Sequence, residues 1–339
     1  MRRITGWIFL LFIIIVVGAY LYIAPYLSTS FHEEATEVLV PEGVSLNYVA
    51  DLLLEKNIIK NKIWFKYRAK KEGVDRKIKP GSYLIDTGLD LDDIFQLLEK
   101  GVPETPLVVT IPEGFTLYQI ANRIEKAGLG PAEEFIQETE ALYEKKGLDF
   151  DTYDLHYRME GYLYPETYHF NKKQGLDEIV ATMADTMEGV FTEEYRQRAE
   201  EMGLSLHELL TIASLIEREA YNDEERATIA GVIYNRLAID MILQIDATVI
   251  YGVGKGQEHI KRVLTIHLKD DSPFNTYRHK GLPPGPIASP SKASIHASLY
   301  PDKHDYLYYV MGEDGHVFNQ YYEDHLEADA KYKKRINKE

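Results

Sequence analysis

The sequence predicts an α+β chain in three parts: an N-terminal transmembrane helix, small strand–turn–helix units, and a mixed helical domain with a C-terminal β-hairpin. Three observations predict it. Residues 4–24 carry no charge, a Pro-Glu-Gly segment occurs twice, and helix-period apolar patterning takes over near residue 130. A chain of 339 residues, 45% of them hydrophobic, can fill more than one core. The boundaries are drawn as 1–30 for a cytoplasmic tip and anchor, 31–130 for the repeated units and 131–339 for the helical domain.

The first element reads "MRRITGWIFLLFIIIVVGAYLYIAPYLSTSFHEE". Its uncharged run from Ile4 to Ala24 is long enough, at ~1.5 Å per residue, to cross a ~30 Å hydrocarbon layer. A cleaved signal would have a shorter apolar core and a small-residue exit. Arg2 and Arg3 precede the run and Lys56 is the next basic residue, so the body is expected outside the cytoplasm on a single-pass anchor.

The repeated element follows. "VLVPEGVSLNYVADLLLEKNII" from Val38 matches "VTIPEGFTLYQIANRIEKAGL" from Val109, with Pro41, Glu42 and Gly43 aligned on Pro112, Glu113 and Gly114. Each copy reads as a β-branched strand, a turn, a Ser or Thr cap and an amphipathic helix. Between them, Ile78 to Gly101 offers another strand, a turn and an Asp-rich helix start. These units resemble the LysM-like modules that handle cell-wall glycan; strand–turn–helix units also serve as plain spacers.

In the third part, "PAEEFIQETEALYEKKG" is a charged helix. "EGYLYPETYHF" (160–170) is broken by Pro165, and its Glu160 and Glu166 read as surface charge. A long helix with an interruption near Gly189 comes next. Ser205 and Glu208 have capping-box spacing and open the next helix, and Asp223 can cap the one after it. Residues 270–290 hold five prolines and are expected to be irregular, and "DYLYYVMGEDGHVFNQ" reads as a hairpin turning at Asp314-Gly315.

Composition narrows the chemistry. With no cysteine, disulfides, thiolate metal sites and a Cys nucleophile are excluded. Beyond residue 30 the chain holds 36 basic against 54 acidic residues, a poor match to polyphosphate, so nucleic acid is set aside. His296 and His304, near Asp302 and Asp305, lack the i, i+4 spacing of helical zinc ligands. Gly252 and Gly254 lack a phosphate-cradling frame. No metal and no cofactor are expected.

One residue breaks a pattern. On a helix from Leu206, the apolar Leu209, Leu210, Ala213, Ile216 and Ala220 share a face, and Glu217 falls inside it at about 20° from Leu206. Glu208 and Glu219 fall on the opposite side and read as solvated. A carboxyl on a buried face loses hydration, which disfavours the anion. Such an acid can protonate a leaving oxygen and later take a proton back. A salt bridge to an Arg that the pattern does not identify, or a stripe edge that reaches water, would also account for it.

The segments "ASLIEREA", "VIYNRLAIDMILQIDATVIYGVG", "SPFNTYRHKGLPPGPIASP" and "DYLYYVMGEDGHVF" resemble, in order, the motifs of the endolytic murein transglycosylase family. The departures are Phe274 and Ser289, where that family more often carries Tyr and Asn. The resemblance implies a membrane-anchored bacterial enzyme that cuts peptidoglycan glycan strands internally, leaves 1,6-anhydro ends and has partners in the cell-wall synthesis machinery. It also implies Glu217 as the catalytic Glu.

Four further residues are candidates for substrate binding. Gln244 suits acetamido or hydroxyl groups, Asp246 can orient the sugar, and Asn275 and Tyr277 can line a cleft; loop capping, Asn turns and buried Tyr explain them as well. Two rival readings stand beside transglycosylation. One is a glycan hydrolase with Glu217 and Asp246 as its carboxylate pair, and the other a non-catalytic wall-binding scaffold.

Overall fold

The structure, a computed structural model, describes residues 12–18, 23, 34–102, 106–148, 150, 154–257, 260 and 263–336. The chain divides into two compact units, residues 1–105 and 106–339.

The expected transmembrane helix is corrected. Among the described residues, no helix is long and apolar enough to cross a membrane. Residues 12–18 form one short helical run, about 10 Å of rise against the ~30 Å a span requires. Apart from Ile23, the rest of the expected segment lies outside the described residues.

In the first unit, β1 (Thr36–Val40) pairs antiparallel with β2 (Gly81–Ile85), Val38 opposite Tyr83. Side chains alternate as the two-residue strand period requires: Val38, Val40, Tyr83 and Ile85 are buried, while Leu39 and Leu84 face out. Among the described residues from 34 to 102, three α-helices follow: α1 (Leu46–Glu55), α2 (Lys62–Glu72) and α3 (Leu91–Lys100). Ser45 caps α1 by accepting from the Tyr48 amide, and Asp90 and Asp93 form a capping box on α3. Val49, Leu53, Phe65, Ile94 and Phe95 fill the core.

In the second unit, β3 (Leu107–Thr110) leads through the second Pro-Glu-Gly turn into α4 (Leu117–Lys126), capped by Thr116 with Gln119. Both copies of the repeat therefore fold as strand, turn and helix. The second strand does not pair with the first: β3 pairs antiparallel with β4 (Thr167–Phe170), drawn from the Tyr-rich segment after Pro165. Then come α5 (Ala132–Lys146), α6 (Leu176–Val190) and α7 (Glu193–Glu201). The break between α6 and α7 falls at Phe191, with Thr192 capping α7.

The centre of this unit is α8 (Leu206–Glu219), opened by the Ser205–Glu208 capping box. It packs against α9 (Arg226–Ala238), α10 (Asp246–Gly254) and α11 (Lys292–Leu299). Ile212, Leu215, Ile216, Ile229, Ile233 and Ala297 form the core between them. The turn before α9 is capped by Asn222 and not by Asp223, whose side chain instead accepts from Arg226. The C-terminal hairpin joins β5 (Tyr308–Met311) to β6 (His316–Asn319), and α12 (Tyr322–Ile336) packs on it.

Candidate active site

Glu217 lies in the last turn of α8, and its side chain is only 6% exposed. Four donors converge on one of its two oxygens, Oε2. The Ser291 amide donates at 2.9 Å, the Ser291 hydroxyl at 2.5 Å, the Ser294 hydroxyl at 2.8 Å and Arg226 Nη1 at 3.1 Å. Among the described residues, no hydrogen bond reaches Oε1.

Two local features bring these donors together. Ser291 is the N-cap of α11, its hydroxyl accepting from the Ser294 amide at 3.2 Å, so the start of that helix brings the Ser291 amide and hydroxyl to the carboxylate. Arg226 opens α9 and is 9% exposed; its Nε bonds Asp223 at 2.9 Å and its Nη1 bonds Ser294 Oγ at 2.5 Å. The loss of hydration on the buried face of α8 is thus offset by a cation and three neutral donors. The Arg partner that the sequence left open is Arg226.

A third element completes the surroundings of Glu217: the turn between β3 and α4. The Gly114 amide donates to the Ser289 carbonyl at 2.9 Å, and the Ser289 amide donates to the Phe115 carbonyl at 2.8 Å. Arg218 Nη1 donates to the Gly114 carbonyl at 3.2 Å. A Cβ added to Gly114, whose φ is +72°, would stand 3.8 Å from Glu217 Cγ. Glu113 is therefore adjacent to the catalytic candidate. Partial burial and the Glu217 charge raise its carboxyl above the ordinary range, opposed by Arg226. The repeat pattern exposed this turn, but only the fold shows that it abuts Glu217.

The four other candidates separate. Tyr277 donates its hydroxyl to Asp246 Oδ1 at 2.7 Å, so these two act as one unit. Gln244 is exposed, its side chain makes no hydrogen bond among the described residues, and its backbone sits at φ +51°, unusual for a non-glycine residue. Asn275 is 0% exposed and spent within its loop: its Nδ2 donates to the Leu268 and Asp270 carbonyls, and its Oδ1 accepts from the Tyr277 amide. It shapes the segment that carries Tyr277 and presents nothing to a ligand.

Two carboxylates depart from the sequence reading. Glu219, expected in solvent, accepts from the Tyr309 hydroxyl at 2.8 Å. Burial pushes it up to about 7, with Asp246 adding to the rise. Glu208, in contrast, is exposed as expected. Glu160, read as surface charge, is 1% exposed: Oε1 accepts from the Leu117 amide at the start of α4 and Oε2 from the Tyr251 hydroxyl. Burial pushes its carboxyl up to about 8.

Near Glu217 the enclosed space is small. A cavity of about 30 Å³ is lined by Arg218, Thr116, Gln119 and Tyr251. A larger one, about 240 Å³, lies by the opposite end of α8, its Met159, Met187, Phe191 and Leu210 rimmed by Lys146, Glu188 and Arg196.

Comparison with known proteins finds relatives of the chain as a whole. The sequence model of the YceG-like family matches residues 38–331. The chain is 36% identical, over 94% of its length and 91% of the relative's, to an endolytic murein transglycosylase of Bacillus subtilis (strain 168). It is 33% identical to an endolytic murein transglycosylase of Streptococcus pneumoniae serotype 2, covering 84% of this chain and 56% of that longer protein. A crystal structure of a yceG-like protein from Listeria monocytogenes superposes with a TM-score of 0.61 at 32% identity, covering 87% of this chain and 99% of that one.

Proposed function

Because the chain belongs to the YceG-like family and cuts murein strands endolytically by transglycosylation, we propose that Glu217 is the acid–base residue of that reaction. One observation carries the assignment: a nearly buried carboxylate with one oxygen held by four donors and the other left unbonded. The enzyme is a lyase of peptidoglycan, and that substrate puts its action outside the cytoplasm.

In the proposed sequence Glu217 begins protonated. It gives the proton to the glycosidic oxygen as the bond from that oxygen to C1 of N-acetylmuramic acid breaks. The C6 hydroxyl of the same sugar then attacks C1 and returns its proton to Glu217. One end becomes a 1,6-anhydro sugar, the other a free hydroxyl. The carboxyl ends as it began, and no water is consumed. Gln244 and the Asp246–Tyr277 pair are proposed as sugar contacts: an amide and, two residues on, a carboxylate bonded to a phenol can donate to and accept from hydroxyl and acetamido groups.

A second reading is favoured by one observation. Hydrolysis needs a second carboxylate to activate water, and Glu113 stands beside Glu217, unlike Asp246, which is engaged with Tyr277. Two substitutions separate the readings. Glu217→Gln keeps the fold, because an amide fills the same space, and ends anhydro-product formation. Glu113→Gln keeps anhydro products under transglycosylation; a loss of all cleavage, with only reducing ends in the wild type, would favour hydrolysis. Chromatography of the released ends reads both.

A further inference from the structure

We propose that Arg226, Ser294 and Ser291 are positioning residues that divide the labour of the two Glu217 oxygens, confining the transferable proton to Oε1 and holding Oε2 as the fixed end of the carboxyl. This inference rests on Glu217 being the acid–base residue.

The direction of each hydrogen bond makes the argument. Arginine has no acceptor, so its contact with Ser294 Oγ must be a donation. Ser294 Oγ thus receives one hydrogen and sends its own to Glu217 Oε2. Likewise Ser291 Oγ receives the Ser294 amide hydrogen and sends its own to the same oxygen. The Ser291 amide and Arg226 Nη1 have only hydrogens to offer. A proton on Oε2 would face four hydrogens already pointing at it. The proton of the acid form is therefore held on Oε1, where no protein donor competes.

The same arrangement acts differently on the two states. Transfer of the proton leaves an anion, and Arg226 with the α11 start stabilises that anion in a site largely closed to water. Among the described residues, the charged groups around Glu217 are Arg226 on α9, Asp223 in the turn before it, Glu113 in the β3–α4 turn and the neighbouring Arg218. Of these, Arg226 alone bonds the carboxylate directly.

The test is steady-state kinetics of anhydro-end formation on purified strands, run across pH, with thermal melting as a folding control. Ser294→Ala should lower kcat about 10-fold or more while KM stays within about twofold. Arg226→Gln should lower kcat about 10²- to 10³-fold and move the alkaline limb of the rate profile to higher pH, since the one charged donor to the anion is then gone. Ser291→Thr should recover most of the rate lost in Ser291→Ala, because it restores the hydroxyl. Unchanged kcat in Ser294→Ala, or an unmoved limb in a folded Arg226→Gln, would overturn the proposal. Should Arg226→Gln fail to fold, Ser294→Ala decides alone. An inert Glu217→Gln beside fully active Ser294→Ala and Arg226→Gln would remove this inference only; an active Glu217→Gln would remove the assignment beneath it.

Discussion

Glu217, Glu219 and Glu160 show what local sequence patterning can and cannot reveal. Glu217 was legible because it interrupts a stripe of Leu, Ile and Ala on its own helix. Its partners were not, since Arg226 comes from α9 and Ser291 and Ser294 from α11, 74 and 77 residues away. Glu219 was misplaced for a related reason: the face opposite the stripe is covered by Tyr309 of the hairpin. Glu160 gives the clearest prediction at this scale. Its carboxyl is raised from 4.5 to about 8 by burial, so the folded state holds a proton that the unfolded state has released between those values. Stability from this site is full below 4.5 and is lost as pH rises through about 8. Glu160→Gln removes that dependence and can still accept from Leu117. Its melting temperature should match the wild type in acid and exceed it above pH 8 by about 2–4 °C for each ~1 kcal/mol released. A pH-independent difference between the two would contradict the buried, protonated carboxyl.

Among the elements, those that announce themselves locally were readable. The Ser205 and Thr116 capping boxes mark the starts of α8 and α4, and the alternating Tyr and Val of "DYLYYVMGEDGHVFNQ" gave the hairpin. The Pro-rich stretch before α11 was readable only as irregular, because its order comes from distant partners: Ile245 and Thr248 bond Thr276, and Ser214 Oγ accepts from the Ile287 amide. It is the platform that delivers Ser291 to Glu217. Gly161 is where another loop must fit against it. Its φ is +80°, and a Cβ there would lie 2.5 Å from Pro286 Cβ. Gly161→Ala should therefore destabilise by more than about 2 kcal/mol in urea unfolding and reduce kcat by displacing the segment leading to Ser291. Wild-type stability in that variant would show that the close approach is dispensable.

For the whole molecule, self-similarity grouped the two Pro-Glu-Gly units, whereas strand pairing separates them. The first pairs within residues 36–85, while β3 finds β4 nearly sixty residues on and so joins the unit that holds Glu217. Pairing over such a distance leaves no trace in one sequence. Every described group around Glu217 belongs to residues 106–339, so a fragment of those residues should still form anhydro ends on purified strands; an inert but folded fragment would assign the first unit a part in the chemistry. The central claim is that one carboxyl moves a proton from the C6 hydroxyl to the glycosidic oxygen without water. It is tested most directly by digesting purified strands in heavy-oxygen water and weighing the new ends by mass spectrometry. The account predicts anhydro ends free of the label, absent with Glu217→Gln; labelled reducing ends, or undiminished anhydro ends from the variant, would contradict it.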